Sequence, residues 1–293
     1  MNKIYLGSHV SMSSPDFYLG SVRSALEWGE NTFMFYTGAP QNSYRLPLER
    51  LKIEEGRKLL KENNIDESKI IVHAPYLINL GSKEKIDNYE LAKKLVINEL
   101  QRTKAFGCKT LVLHPGNHLK ASKIEGLNNI VEGLNYIFEN DNTDVKIALE
   151  TMSGKGSELG TTFEDINYII NNCKYSDRLG VCLDTCHIND YGYDVRDIDH
   201  ILDEFNKIIG LEKLLVVHVN DSKNPIGAHK DRHDNIGYGT IGFETLSKYI
   251  HHPLLINVPK ILETPYVNEK PPYKKEVEML LNNAFEDNWR ENL

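Results

Sequence analysis

Eight short apolar runs recur along the chain at intervals of roughly 30 to 45 residues, the spacing typical of strands that alternate with helices. Each run contains four to six residues, which suits a strand that is buried on both faces. We therefore predict strands at 4–7, 32–36, 70–73, 110–114, 147–150, 179–184, 214–219 and 260–263.

The segments between these runs carry helical periodicity, most clearly at 89–100 and 163–171. In the first of them, lysines and acids lie opposite one apolar stripe. That stripe would consist of Leu91, Leu95, Ile97 and Leu100. Eight strands that alternate with helices are typical of a (β/α)₈ barrel, a fold that commonly forms a single domain of about 250 residues. We predict an α/β fold, with one TIM-barrel domain spanning residues 1–293.

Side chains able to bind metals follow most of these apolar runs directly. Because the carboxyl ends of the strands meet at one mouth of such a barrel, we expect these side chains to lie close together there. Imidazole nitrogens and carboxylate oxygens without cysteine are the ligands of catalytic zinc sites. Nine ligands exceed what one tetrahedral ion uses, so three ions that share a bridging carboxylate would fit. The candidates are His73, His114, Glu150, Asp184, His187, His218, Asp231, His233 and Glu263.

Each of these side chains also has an ordinary structural interpretation when it is taken alone. A strand-end histidine is commonly hydrogen-bonded rather than metal-bound, and a strand-end acid commonly caps a helix. Their placement at six strand ends at once favours a shared site over independent structural roles. Cys182 and Cys186 flank Asp184, and we favour packing over metal binding for both. For His9, beside the first strand end, a partner of the site and a structural role both remain open.

Net charge and composition indicate which binding partners and which cellular compartment to expect. The formal net charge of −8 argues against a nucleic-acid partner, but three divalent ions would add six positive charges and leave −2. No stretch approaches the roughly 18 apolar residues of a membrane span, and the start lacks the features of a signal peptide. The four cysteines form no disulfide framework. We expect a cytoplasmic protein with reduced thiols and no membrane partner.

Seven sequence blocks together resemble the endonuclease IV family of apurinic/apyrimidinic endonucleases. The blocks are HAPYLIN at 73–79, LHPG at 113–116, ALET at 148–151, CLDTCH at 182–187, HVNDSK at 218–223, DRH at 231–233 and ILETP at 261–265. The resemblance extends from GSHVS at 7–11 to KPPY at 270–273, which is nearly the whole chain. It implies the TIM barrel of the xylose-isomerase-like superfamily, with a metal site at the carboxyl ends of the strands.

The resemblance also implies a trinuclear zinc site in a DNA repair enzyme, with manganese possible at some positions. The three ligand sets would be His73, His114 and Glu150; Glu150, Asp184, His218 and Glu263; and His187, Asp231 and His233. Glu150 and Glu263 would be catalytic as ligands that hold the nucleophilic hydroxide. A monomer would hydrolyse the phosphodiester 5′ to an abasic site in double-stranded DNA, leaving a 3′-hydroxyl and a 5′-deoxyribose phosphate. Trimming of blocked 3′ ends would be a further activity of this zinc-dependent deoxyribonuclease.

Contacts with DNA are suggested for side chains on the loops around the predicted mouth. Tyr76 and Leu77 suit an apolar wedge in the minor groove, with a lid packed on the barrel as the alternative. Five basic residues near predicted strand ends or their loops could meet phosphates, with a solvated surface charge as the alternative for each: Lys155, Lys223, Lys230, Arg232 and Lys260. Many family members carry a basic residue in the loop after the second strand, but this chain has TGAPQNS at 37–43. That role could pass to Gln41, Asn42 or Arg45.

Two other classes of protein compete with this hypothesis. A metal-dependent sugar isomerase or epimerase on the same scaffold would need only Glu150, Asp184, His218 and Glu263. The other five candidates distinguish a phosphodiester-cleaving site from such an isomerase. A non-catalytic zinc-binding scaffold would have no reason to place its ligands at an open barrel mouth.

Overall fold

The computed structural model describes residues 3–293, and eight parallel strands form the centre of the fold. These strands are β1 (Leu6–Ser8), β2 (Met34–Tyr36), β3 (Ile71–His73), β4 (Thr110–Leu113), β5 (Lys146–Glu150), β6 (Leu179–Asp184), β7 (Leu214–His218) and β8 (Lys260–Leu262). Each lies at one of the predicted apolar runs, and most are slightly shorter than predicted. The strands are buried almost throughout, which explains why their sequences are continuous apolar runs.

The strands follow one another around a nearly closed ring. From β2 to β7, strands adjacent in sequence are paired, and β8 lies between β7 and β1. Between β1 and β2 the ring continues through a parallel bridge of His9 with Met34, and the Val10 N–H donates to the Met34 carbonyl at 2.8 Å. This arrangement confirms the predicted (β/α)₈ barrel, whereas its assignment to one domain over 1–293 stays a prediction.

Helices surround the strands in the expected alternation. They are α1 (Phe17–Glu27), α2 (Ile53–Glu62), α3 (Ile86–Ala105), α4 (Lys123–Glu139), α5 (Phe163–Asn172), α6 (Thr185–Tyr191), α7 (Ile198–Ile208), α8 (Phe243–His251) and α9 (Tyr273–Asn282). The apolar core between strands and helices is continuous around the barrel. Within residues 3–293, no helix combines the length and the apolar character needed to cross a membrane.

The buried stripe of α3 differs from the one predicted. Leu91 is 45% exposed, so its place in that stripe is wrong, whereas Leu95 and Leu100 are buried as expected. The buried face also includes Glu99, whose carboxylate accepts hydrogen bonds from the loop after β2. A polar residue in the stripe shifts the true face away from the one that apolar positions alone indicate.

Candidate metal centre

The barrel interior contains a layer of small and medium apolar side chains, one from each of seven strands. These are Met34, Ile71, Val112, Ala148, Cys182, Val216 and Ile261. Because side chains alternate between the two faces of a strand, the residue two positions further along points to the same interior. Those positions are occupied by Tyr36, His73, His114, Glu150, Asp184, His218 and Glu263. Six of the nine predicted ligands therefore form one layer directly above the apolar layer, at the mouth.

Glu150 lies at the centre of this layer, and its side chain is buried. Its Oε2 lies 3.1 Å from His73 Nε2 and 3.1 Å from His114 Nε2. Its Oε1 lies 3.1 Å from His218 Nδ1 and 3.4 Å from His187 Nδ1. The two oxygens of one carboxylate thus face different histidines, which is the geometry expected of a bridging ligand.

A second group surrounds His218 at the ends of β6, β7 and β8. His218 Nδ1 lies 3.1 Å from Glu263 Oε2 and 3.7 Å from Asp184 Oδ2, in addition to its contact with Glu150. One ligand atom from each of these four residues lies within 4.8 Å of the others. Three carboxylates and one imidazole therefore converge on one small volume.

A third group combines the short helix α6 with the loop that follows β7. His187 Nε2 lies 3.0 Å from Asp231 Oδ1, and His233 Nε2 lies 3.6 Å from the same oxygen. Asp184 caps α6 by accepting the His187 N–H at 2.8 Å, which fixes these two residues relative to each other. His233 belongs to a two-stranded antiparallel pair, Asp221–Ser222 with His233–Asp234, outside the barrel. The structure brings together the members of each ligand set that the resemblance implies. Two further groupings of potential ligands within 4.8 Å include Cys182 and Cys186, so the partition into three ion sites stays a prediction.

Backbone carbonyls orient three of the histidine rings. His73 Nδ1 lies 2.7 Å from the Ala74 carbonyl, and His187 Nδ1 lies 2.8 Å from the Thr151 carbonyl. His233 Nδ1 lies 3.2 Å from the Glu263 carbonyl. A carbonyl can only accept, so each Nδ1 donates, and Nε2 can present its lone pair to the site. This orientation by a carbonyl is usual for metal-binding histidines.

The donor set fits divalent ions of the zinc type. Zinc binds nitrogen and oxygen at about 2.0–2.2 Å in a tetrahedron, which places its ligand atoms roughly 3.3–3.6 Å apart. His233 Nε2 is buried and has no hydrogen-bond partner among the described residues, although it lies 3.6 Å from Asp231 Oδ1 and 3.8 Å from Asp184 Oδ2. The separation from Asp231 is too long for a hydrogen bond but suits two ligands that share an ion. The separation from Asp184, a member of the second group, lies just outside this range.

The buried ionisable side chains in the three groups strongly shift one another's pKa values. Burial raises the pKa of the Glu150 carboxyl, but His218 and His114 outweigh burial and hold this pKa well below its usual range. Burial lowers the pKa of His187, and the charges of Asp184 and Asp231 raise it well above its usual value. The carboxylates are thus stabilised in their charged form by positive charge beside them, which bound cations would also supply.

The two cysteines beside Asp184 are buried at the site. The Cys182 side chain belongs to the apolar interior layer, and burial raises its pKa to about 12. Cys186 is also fully buried, with its pKa raised first by burial. Both are free thiols within ligand distance of the groups. Their burial agrees with a packing role, and the thiol form is a weak ligand compared with the neighbouring carboxylates.

Sequence reasoning missed Asn220, which supports the second group. Its side-chain amide donates to Asp184 Oδ2 at 2.8 Å and to Glu263 Oε2 at 3.4 Å. Its Oδ1 accepts the Glu263 backbone N–H at 2.7 Å. The residue is fully buried and stands two positions after His218, so the same alternation that places the ligands could have identified it.

His9 and Tyr36 extend the ring of side chains at the mouth. The ring centroid of His9 lies 5.1 Å from that of Tyr36, and Tyr36 lies 5.0 Å from His73. Burial lowers the pKa of His9, which favours a neutral ring. His9 thus belongs to the wall of the site, one aromatic ring away from a proposed ligand.

The candidate DNA-contacting side chains lie on loops around the mouth, with different exposure. Tyr76 is 55% exposed, whereas Leu77 is half-buried and packs on the main core. Gln41 and Asn42 are exposed on the loop after β2. Lys223 and Arg232 are also exposed, and a backbone hydrogen bond of 3.0 Å joins them beside the two-stranded pair. Lys155 and Lys230 are exposed as well. Lys260 is fully buried at the start of β8 and donates to the Leu255 carbonyl, so its suggested phosphate contact is wrong.

Arg45 does not share this exposure. Its side chain is only 4% exposed and pairs with the fully buried Glu99 of α3 at 2.6 Å. It also donates to the Ala39 and Asn42 carbonyls at 3.2 and 3.0 Å. Arg45 therefore braces the loop from inside, which argues against its replacing the basic residue beside the lesion. The exposed Gln41 and Asn42 remain candidates for that role.

The sequence and the fold place this chain in a known class. A sequence profile described as the xylose isomerase-like TIM barrel matches residues 22–283. A solved structure described as a D-tagatose 3-epimerase-like protein has a TM-score of 0.67 at 20% identity, covering 95% of this chain and 96% of that chain. At that identity the similarity shows the fold alone.

Closer relatives narrow the class to one family. "Probable endonuclease 4" of Oceanobacillus iheyensis is 52% identical over 296 residues, covering 99% of this chain and 99% of that protein. The crystal structure of endonuclease IV from Thermus thermophilus has a TM-score of 0.81 at 27% identity, covering 96% of this chain and 100% of that chain. The chain belongs to the endonuclease IV family, which confirms the resemblance found in its sequence.

Proposed function

We propose that this protein is a DNA repair endonuclease that hydrolyses the phosphodiester 5′ to an abasic site. The observation that carries the proposal is the convergence of nine imidazole and carboxylate side chains in three groups at the barrel mouth. The named relatives support it, because they are described as probable endonuclease 4. The three groups would hold three zinc ions, and manganese would be accepted at some positions because its ligands are also nitrogen and oxygen.

The first two groups would hold two ions that share one ligand. His73 and His114 would hold one ion, and Glu150 would bridge it to a second. Divalent ions at such a site lower the pKa of water towards neutrality and offset the charge of phosphate oxygens. Asn220, with its hydrogen bonds to the Asp184 and Glu263 carboxylates, would keep those oxygens turned towards the ligand cluster.

The reaction balances without a separate side-chain acid. A water oxygen forms the new bond to phosphorus, and the bond from phosphorus to the 3′ oxygen breaks. One proton of the water ends on that oxygen, so the products are a 3′-hydroxyl and a 5′-deoxyribose phosphate. The same centre would release blocked groups from 3′ ends, since these are also attached through phosphate esters.

The exposed loops would recognise the lesion in double-stranded DNA. An abasic nucleotide is easier to turn out of the helix than a paired one, because no base pair has to break. Tyr76 and Leu77 would enter the space left by the missing base, and Gln41 and Asn42 would approach from the loop after β2. We further propose that the enzyme acts as a monomer in the cytoplasm.

A sugar isomerase or epimerase is the competing function, and the number of ligands argues against it. Glu150, Asp184, His218 and Glu263 alone would suit such an enzyme. Such an enzyme would have no need for the five other side chains that the first and third groups add at the barrel mouth, which are His73, His114, His187, Asp231 and His233. We therefore propose phosphodiester cleavage rather than carbonyl chemistry.

Mapping the cut in a labelled duplex with one abasic analogue tests the proposal. Zinc-loaded protein should cut the lesion strand once, directly 5′ to the lesion, and a polymerase should extend the new 3′-hydroxyl without further processing. His114→Ala should lose most activity, whereas His200→Ala, which changes an exposed histidine, should keep it. No cleavage by zinc-loaded protein, together with turnover of a ketose or aldose, would favour the isomerase instead.

A further inference from the structure

A buried carboxylate outside the three groups links the helix of His187 to the loop of Asp231. Asp190 lies on α6, three residues after His187, and it is fully buried. One of its carboxylate oxygens accepts a hydrogen bond from Ser222 Oγ at 2.6 Å. The other accepts hydrogen bonds from Asn224 Nδ2 and from the Asp231 backbone N–H, both at 3.0 Å. The carboxylate therefore joins both ends of the loop that follows β7.

The turn that Asp190 contacts has an unusual backbone. His229 and Asp231 have φ values of 53° and 61°, in the left-handed region that residues other than glycine rarely adopt. Such a conformation persists only where the surroundings impose it. Asp190 contacts both residues, because its carboxylate accepts the Asp231 N–H and its backbone carbonyl accepts the His229 N–H at 2.8 Å.

The carboxylate form of Asp190 suits these contacts better than an amide would. The Asp231 N–H and the Asn224 side-chain amide can only donate to it, and Asn189 Nδ2 donates to it at 3.2 Å. An asparagine at this position would turn an N–H towards at least one of these donors. Asp190→Asn therefore keeps the size of the side chain and removes the hydrogen bonding selectively.

We propose that Asp190 is a positioning residue for the third metal group. It fixes the backbone of Asp231 relative to α6, and α6 also carries His187. The 3.0 Å separation of His187 Nε2 and Asp231 Oδ1 would thus be set before an ion binds. The inference rests on the proposed function, because it requires that His187, Asp231 and His233 bind an ion.

Stepwise competition between zinc-loaded protein and a chromophoric chelator tests the inference. Asp190→Asn should raise the dissociation constant of one ion about 10–100-fold, the effect usual for residues that orient metal ligands, and leave the others unchanged. Asp141→Asn is the matched control, because Asp141 is also a buried carboxylate but lies away from the mouth. It precedes β5, at the amino ends of the strands, and pairs with Arg178. It should leave every ion as tightly bound as in the unaltered protein.

A double variant identifies which ion is affected. His233→Ala should weaken the same ion, and its effect should not add to that of Asp190→Asn, because both changes act on one site. Zinc affinities that Asp190→Asn leaves unchanged, or lowers equally at all sites, would overturn the positioning role. If the unaltered protein binds only one ion, the proposed centre itself is wrong, whatever the variant does.

A milder variant covers the case in which Asp190→Asn fails to fold. Ser222→Ala removes one hydrogen bond to the Asp190 carboxylate and leaves the Asp231 N–H bonded. It should raise the dissociation constant of the same ion only a few-fold. Unchanged binding in a folded Ser222→Ala protein, measured in the same titration, would contradict the inference.

Discussion

Glu150 is the residue on which the proposed centre depends most, because its two oxygens face different histidines. Oε2 lies 3.1 Å from both His73 and His114, and Oε1 lies 3.1 Å from His218. The other proposed ligands each belong to a single set of the three. Removal of this one side chain therefore has a consequence that removal of any other ligand does not share.

Glu150→Ala should lower the metal content by about two ions per chain. Both groups lose the carboxylate that they share, so the first ion keeps two protein ligands and the second loses one of its four together with the bridge. Both ions should therefore be retained less well through dialysis. Metal content by mass spectrometry after dialysis measures the effect, and His114→Ala, which affects the first group alone, is the control. Loss of a single ion from Glu150→Ala would show that Glu150 is not a bridge.

The strands of the barrel were predictable because they are buried on both faces. Their apolar runs are continuous, so the run itself marks the strand, and the polar residue that follows marks the mouth. The alternation of side chains then places Glu150 above Ala148 and His218 above Val216. The spacing does not predict which ligands share an ion, because this depends on how the strands are arranged around the barrel. Only the family resemblance implies that grouping.

The buried face of α3 and the loop after β2 were less predictable, for a physical reason. Glu99 is buried although it is charged, because Arg45 and the Thr37 hydroxyl supply its hydrogen bonds. An apolar pattern does not register a buried ion pair between residues that are 54 positions apart. The apolar pattern therefore predicts a stripe that includes Leu91, and it does not show that Arg45 is buried against Glu99.

Arg45→Met should destabilise the protein by about 3–5 kcal/mol, because it leaves the fully buried Glu99 without its charge partner. Arg23→Ala is the control: that pair with Asp16 is exposed, at 58% and 39%, and should contribute less than about 1 kcal/mol. Urea unfolding followed by circular dichroism measures both. Equal small effects would show that Arg45 does not brace the loop.

At the scale of the whole molecule, the net charge of −8 does not describe the surface beside the candidate site, where basic side chains are exposed. Lys223 and Arg232 are exposed and adjacent beside the proposed third group. Proposed bound ions would add positive charge at the same mouth. Overall charge is therefore a poor guide to whether this protein binds DNA, and the distribution of charge decides it.

Lys223→Ala and Arg232→Ala should each weaken binding to abasic duplex DNA and reduce the slope of log affinity against log salt by about 0.9. Each would remove one proposed phosphate contact, so the effect should be similar for all flanking sequences. Fluorescence anisotropy at several salt concentrations measures it. Lys94→Ala is the control, because Lys94 is an exposed lysine on α3, far in sequence from Lys223 and Arg232. A salt slope that neither Lys223→Ala nor Arg232→Ala alters would exclude the proposed phosphate contacts.

Stability should depend on pH through Glu30, which is buried beside β1. Burial raises the pKa of Glu30 from 4.5 to about 8, although the hydrogen bond from Ser8 lowers this pKa in part. Between these values the unfolded chain has lost a proton that the folded chain keeps, so stability falls as pH rises. The loss is about 1.4 kcal/mol for each pH unit in that window.

Glu30→Gln should remove this contribution, because an amide does not titrate. The variant should therefore gain stability relative to the unaltered protein as pH rises from about 5.5 to about 7.5. Urea unfolding of both metal-stripped proteins at the two pH values measures the difference. A difference that stays constant with pH would show that Glu30 has an ordinary pKa in the folded chain.

The most direct test of a lesion-specific metal nuclease is cleavage of one duplex in three states of the protein. Zinc-loaded protein should cut a duplex with a single abasic site and leave the matching undamaged duplex intact. Chelator-stripped protein should be inactive, and added zinc should restore the cut at the same phosphodiester. Cleavage that persists after complete removal of metal, or equal cleavage of both duplexes, would contradict the proposed centre and its specificity.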